Sequence, residues 1–262
     1  MWEKEYFKLF LTDRRVANKI KLENIPLLYK FQPFQDFRVE SLKNDEFWLS
    51  TPDKMNDPFD CLGLHWDYDN IVRHLSKNPK ASEDISKEDI IGLVKSHVNH
   101  TRLTCFTSDL HNQPMWAHYA DQHKGFCVEY DFRVLDVKDE MLTSLNPVGY
   151  ESKKYDITNI LKLSIDSALG EEFDPRTYLM YLLLLIKHTN WSYEKEWRIL
   201  QPTDDGKSGL LKSKVKPTAI YLGMNFDTSQ IDVIKRAVNC PIYIMKMASN
   251  ESFELEYELV KQ

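Results

Sequence analysis

The chain has 262 residues, 42% of them hydrophobic and 12% aromatic, enough for one large domain or two small ones around a sizeable core. Its formal net charge of -6 leaves no basic excess to neutralise phosphates, which argues against a nucleic-acid scaffold. The longest apolar run, Leu179 to Ile186, is far short of the roughly 20 residues that span a bilayer.

Four scattered cysteines (Cys61, Cys105, Cys127, Cys240) lack CxxC spacing, so buried free thiols in a reducing compartment are expected. The start, MWEKEYFKLF, is too charged for a signal peptide. The expectation is a soluble cytoplasmic protein with no membrane association.

In chain order, residues 1–24 carry Phe7, Phe10 and Leu11 at helical spacing and predict an N-terminal helical arm. Leu27 to Phe31 reads as a strand, with Tyr29 on one face and Lys30 on the other. Arg38 to Lys43 suits a turn of helix, and Glu46 to Ser50 a second strand. Asn56, Asp57 and Pro58 favour a turn, because short polar side chains bond their own backbone and proline sets φ. Asp53, Asp57 and Asp60 crowd there, but without the glycine and spacing of an EF-hand.

Residues 67–100 read as a polar helical insertion. Ser86 caps a helix there, with Asp89 three residues on and an apolar stripe of Ile90, Ile91, Val94 and Val98.

The densest stretch is Leu103 to Asp131, read as strand, loop, short helix, turn, strand. Pro114 fits the first helical turn, where its missing N–H is no loss. Trp116, His118, Tyr119, Asp121, His123 and Glu129 gather around that helix. Polar and aromatic groups beside a strand end suit a small-molecule site.

Further on, Val148 to Tyr150 reads as a short strand. Helices are expected at roughly 157–169 and 175–189. Strands are expected at Glu196 to Leu200, Ala219 to Met224, Ile242 to Met247 and Phe253 to Leu259. Asp227 caps a helix running to about Val238. No repeat and no internal boundary is visible, so the chain reads as one α+β domain, residues 1–262, with a mixed, mainly antiparallel sheet and helical insertions.

Only eight glycines occur, and none form GxGxxG or a phosphate loop. No GxSxG elbow and no HExxH is present. The chemistry that the residues do offer lies at Glu194-x-Glu196 entering a strand, where Glu196 and Arg198 share one face and Trp197 and Ile199 the other. A carboxylate fixed at a strand start can stabilise positive charge on a sugar carbon. A surface ion pair between Glu196 and Arg198 is the plainer reading of the same residues, and both stay open on spacing alone.

Asn56-Asp57-Pro58-Phe59-Asp60, Met115-Trp116-Ala117-His118-Tyr119-Ala120 with Gly125-Phe126-Cys127, and Glu194-x-Glu196-Trp197-Arg198 together resemble a bacterial and phage family catalogued as domain-of-unknown-function 2971. With the Tyr29-Lys30-Phe31 strand, the resemblance covers roughly residues 27–200. The order of elements also resembles the ADP-ribosyltransferase fold. That resemblance implies Glu196 as catalytic acid with Glu194 before it. It implies an NAD-binding set drawn from Tyr29, Lys30, Thr107, Ser108, Trp116, His118, Tyr119 and Arg198. Lys30 stands where an Arg or His is expected, and Ser-Thr-Ser is reduced to Thr107-Ser108.

The resemblance implies NAD as a substrate, no metal, and a small-molecule nucleotide as partner. A protein or nucleic-acid group would be the acceptor for a transferase, or water for a glycohydrolase, with a toxin or phage-defence role. Two other readings stay open: a non-catalytic ligand- or protein-binding module on the same fold, and a metal-dependent hydrolase or nuclease using Asp57, Asp60 and nearby histidines. The sequence leaves the oligomeric state undetermined.

Overall fold

Asp13 divides the expected N-terminal helix in two: α1 (Trp2–Phe10) and α2 (Arg14–Asn24). Its backbone is non-helical, and its side chain accepts from the Val16 N–H, capping α2. In α1, Tyr6 and Phe10 lie one turn apart and are both fully buried. The computed structural model describes residues 2–10, 13–77, 88, 92, 98–162, 183–249 and 251–260.

The chain continues through β1 (Leu28–Gln32), α3 (Asp36–Lys43) and β2 (Glu46–Leu49). After the turn at Asn56 to Asp60 come β3 (Leu64–His65) and α4 (Tyr68–Leu75), whose cap Asp67 accepts from Asn70 N–H. The Ser86 cap and the Ile90, Ile91 and Val94 stripe lie outside the described residues.

Next come β4 (Thr101–Thr107), α5 (Gln113–Tyr119) and β5 (Phe126–Tyr130), as the alternation and Pro114 predicted. Asn112 caps α5 by accepting from the Met115 N–H. Then follow α6 (Glu140–Ser144), β6 (Leu145–Pro147), β7 (Gly149–Glu151), β8 (Tyr155–Asp156), β9 (Ile186–His188) and β10 (Glu196–Pro202). The chain closes with β11 (Gly209–Lys212), β12 (Pro217–Leu222), α7 (Ile231–Ala237), β13 (Ile242–Met247) and β14 (Leu255–Leu259).

One expected helix is corrected. Of the segment 175–189, residues 183–185 are helical, but Ile186–His188 is a strand paired in parallel with β7. That pairing overrides the helical pattern of the apolar run. Residues 175–182, and 163–169 of the preceding helix, lie outside the described residues.

Eight strands form one sheet in the order β14-β13-β12-β5-β1-β4-β10-β6. Every pairing in it is antiparallel except β12 with β13. The fold is α+β with a large, mostly antiparallel sheet. Leu28, Phe106, Trp197 and Ile199 pack on one face against Val39 and Leu42 of α3, Phe47 of β2, Met141 and Leu142 of α6, and Ile234 of α7. The opposite face carries a second cluster in which Trp116 and Ala120 pack with Cys127 and Tyr221.

The sheet is nearly split at its centre. β1 matches β5 over five positions, but meets β4 at one only, Tyr29 opposite Thr107. Beyond that position the two strands are not paired. The Lys30 side chain lies in the gap, donating to Thr104 Oγ1 at 2.6 Å and to the Cys105 carbonyl at 3.1 Å. Among the described residues, no helix is long and apolar enough to cross a membrane.

Candidate functional site

A cavity of about 250 Å³ opens at this split. β1 contributes Tyr29, Lys30 and Phe31 to its lining, β4 contributes Cys105 and Phe106, and α5 contributes Met115 and Tyr119. Glu194 and Glu196 reach it at the start of β10, with Asp60, Lys187 and Asn56 also in the lining, and Arg38, Trp48 and Lys54 are among its other lining residues.

The two glutamates arrive by a backbone device. Thr189–Glu194 is a 3-10 helix that ends on Lys195, held in the left-handed region at φ 45. Only a few per cent of non-glycine residues adopt it, and it costs of order 1–2 kcal/mol. The Lys195 carbonyl accepts from Ser108 N–H, and its ammonium pairs with Asp109 at 2.9 Å. This turn brings the end of the helix and the first residue of β10 to the same cavity.

Asp60, Glu194, Glu196 and Lys187 in the cavity wall, with Arg198 behind them, form a buried charge cluster of three carboxylates and two cations. Arg198 is fully buried. Its guanidinium donates twice to Asp60 (Nη1 3.0 Å, Nη2 2.7 Å), twice to Glu196 (Nε 2.7 Å, Nη2 3.0 Å) and once to the Leu184 carbonyl at 2.7 Å. Lys187 donates to Glu194 at 2.5 Å and Glu196 at 3.3 Å, and lies 3.6 Å from Asp60. Such a cluster is tolerable in a low-dielectric interior only because nearly every donor and acceptor is matched.

The two carboxyl groups differ sharply. Burial pushes Glu194 up, with repulsion from Glu196 adding to it. Burial would also raise Glu196, but the Arg198 and Lys187 charges outweigh it and hold that carboxyl down at about 2. Tyr119 donates its hydroxyl to Glu194 at 2.6 Å and accepts from Asn56 Nδ2 at 3.2 Å. Burial, then the Glu194 charge, raise the Tyr119 phenol, so it stays a donor. Burial lowers Lys30 to about 8. Paired carboxyls driven apart by their surroundings are the usual basis for dividing acid and base roles.

Of the residues singled out by sequence, Glu194, Glu196, Lys30, Tyr29 and Tyr119 line one cavity. The others do not. Trp116 is fully buried, donates its indole N–H to the Leu110 carbonyl and stacks on His123, so it cannot present a face to a ligand. His118 is exposed and lies outside the cavity lining. Thr107 is buried and accepts from the Asp109 N–H, while Ser108 lies outside the cavity lining and gives its backbone N–H to the Lys195 carbonyl. Arg198 holds Glu196 from behind instead of facing the cavity. The shared face of Glu196 and Arg198 is itself buried, so their ion pair is not a surface one.

Asp57 accepts from the Phe59 N–H and Asp60 is paired with Arg198. Among the described residues, no three His, Cys, Asp or Glu gather as a metal-binding group. Lys187, Asn56 and Arg38 were not singled out by sequence. A lysine ending the apolar run LLLLIK was the available signal for the first, since a charge beside buried aliphatics needs a partner.

Residues 115–199 match the model of a family described as Protein of unknown function (DUF2971). The DUF2971 match runs from Met115 in α5 to Ile199 in β10. It therefore takes in Tyr119, Lys187, Glu194, Glu196 and Arg198, but not Lys30, Arg38 or Asp60. No curated protein and no solved structure matches the chain.

Proposed function

We propose that the cleft binds NAD or a related nucleotide and breaks its glycosidic bond, with ADP-ribose passing to water or to a macromolecular acceptor. One observation carries the reading: Glu194, Glu196, Tyr119 and Lys30 converge on one cavity at the split of the sheet. At 250 Å³ the cavity is near the small end of ligand sites, roughly 300 Å³ upward, and suits a nucleoside-sized group with the rest of the ligand across its mouth.

In this reading the ribose C1′–nitrogen bond breaks and nicotinamide leaves with the bonding pair, so positive charge develops on the sugar. Glu196 stays anionic throughout. Arg198 and Lys187 occupy part of its lone-pair capacity, and what remains accepts a ribose hydroxyl and faces the developing cation. Glu194, whose carboxyl is raised, takes the proton of the incoming acceptor hydroxyl as the new C1′–oxygen bond forms. Tyr119 orients Glu194. The ring lining at Tyr29 and Phe106 supplies aromatic surface for a planar cationic ring. A toxin or phage-defence role is the biological setting that fits NAD consumption.

A second reading, a binding module without catalysis, is favoured by one fact: both oxygens of Glu196 are in ion pairs. Nicotinamide release from NAD, in the native chain and in Glu196→Gln, separates the two.

A further inference from the structure

The cavity lining carries charge of both signs. Its carboxylates Glu194, Glu196 and Asp60 are neutralised from within by Lys187 and Arg198. Lys30, Arg38 and Lys54 line the same cavity, and among the described residues none of the three forms an ion pair. Lys54 donates only to Ser208 Oγ, at 3.2 Å. The Arg38 Nε is shut off from solvent and has no hydrogen-bond partner. A buried guanidinium N–H without an acceptor is costly unless something supplies one.

Arg38 is also held ready. Its guanidinium lies 4.5 Å over the Phe37 ring, and Phe37 packs edge-on against Trp48, another lining residue. Stacking fixes the plane of the fork, so less freedom is lost when a ligand binds.

We infer that Arg38, with Lys54 and Lys30, forms a diphosphate subsite, so that a nucleoside diphosphate group lies against these side chains while the ribose bearing the scissile bond faces Glu194 and Glu196. A planar guanidinium fork matches phosphate oxygens two at a time, and two lysines add point charges. The inference deepens the nucleotide reading of the same cleft and rests on it.

Calorimetric titration of the purified full chain with ADP, inorganic pyrophosphate and nicotinamide riboside tests it. ADP and pyrophosphate should bind, at least 10-fold more weakly to Arg38→Gln and by an intermediate amount to Arg38→Lys, which keeps charge and loses the fork. Nicotinamide riboside should bind both variants within twofold of native. Where Arg38→Gln melts early, Lys54→Gln decides by the same comparison, with at least a threefold loss for ADP and none for the riboside. No binding of ADP and pyrophosphate to the native chain, or equal binding to the variants, overturns the subsite. ADP binding through Arg38 without nicotinamide release from NAD removes the glycosyl-transfer reading and leaves the subsite standing.

Discussion

Glu194 and Glu196 share one ammonium, that of Lys187, at 2.5 and 3.3 Å, yet their carboxyl groups are driven in opposite directions. The difference is Arg198, which grips Glu196 through Nε and Nη2 and has no bond to Glu194. One glutamate is thereby a fixed anion, and its neighbour is a group that can carry a proton.

Arg198 makes five hydrogen bonds to Asp60, Glu196 and the Leu184 carbonyl from a fully buried position. Replacing it with methionine strands two carboxylates. A loss of roughly 3–5 kcal/mol is expected, because removing one partner of a buried pair leaves the other charge uncompensated. The urea midpoint of Arg198→Met should fall accordingly; an unchanged midpoint would show that the cluster contributes nothing to stability.

Stability should fall in acid. The folded Glu196 carboxyl lies at about 2, below its unfolded range. Between those values the unfolded chain binds the extra proton, so this contribution is present above about pH 4.5 and is lost towards pH 2. Glu194, raised on folding, has the opposite sign: its cost appears as pH rises past the unfolded value. Urea midpoints measured from pH 6 to 2.5 should drop in the native chain, with a shallower drop in Glu196→Gln.

Tyr119→Phe removes a donor to the Glu194 anion and should raise that carboxyl further. If Glu194 takes the acceptor proton, the acid limb of the rate profile moves to higher pH in the variant, with kcat about 10-fold lower at pH 7. A drop in rate with an unmoved limb would leave Tyr119 a purely structural role.

Lys30 feels the charges of both Arg38 and Glu196, and burial lowers it to about 8. It is charged below that pH and neutral above it. ADP affinity should therefore weaken several-fold between pH 7 and 9.5, and Lys30→Arg should abolish the change. Equal slopes in both proteins would exclude Lys30 from the anion contact.

Much of the fold was legible where the chain alternates or caps itself. The strands at Tyr29, Phe126 and Trp197, the Pro114 helix and the free cysteines follow from local rules. Local rules failed where distant partners decide. Ile186–His188 is a strand only because β7 lies beside it. Asp60 read as one of several turn acids, but is a buried partner of an arginine 138 positions away. Trp116 and His118 looked equally available on a short helix, and only its docking shows one buried and the other turned to solvent. Glu194 and Glu196 were marked by the Glu-x-Glu spacing together with the family resemblance, whereas the lysine they share was not.

The most direct test of the central claim is nicotinamide release when purified protein is incubated with NAD, with Glu196→Gln alongside and melting temperatures recorded for both. Release by the native chain is expected, with its loss in a variant that still folds. No release by the native chain, together with no NAD-dependent rise in its melting temperature, would contradict it.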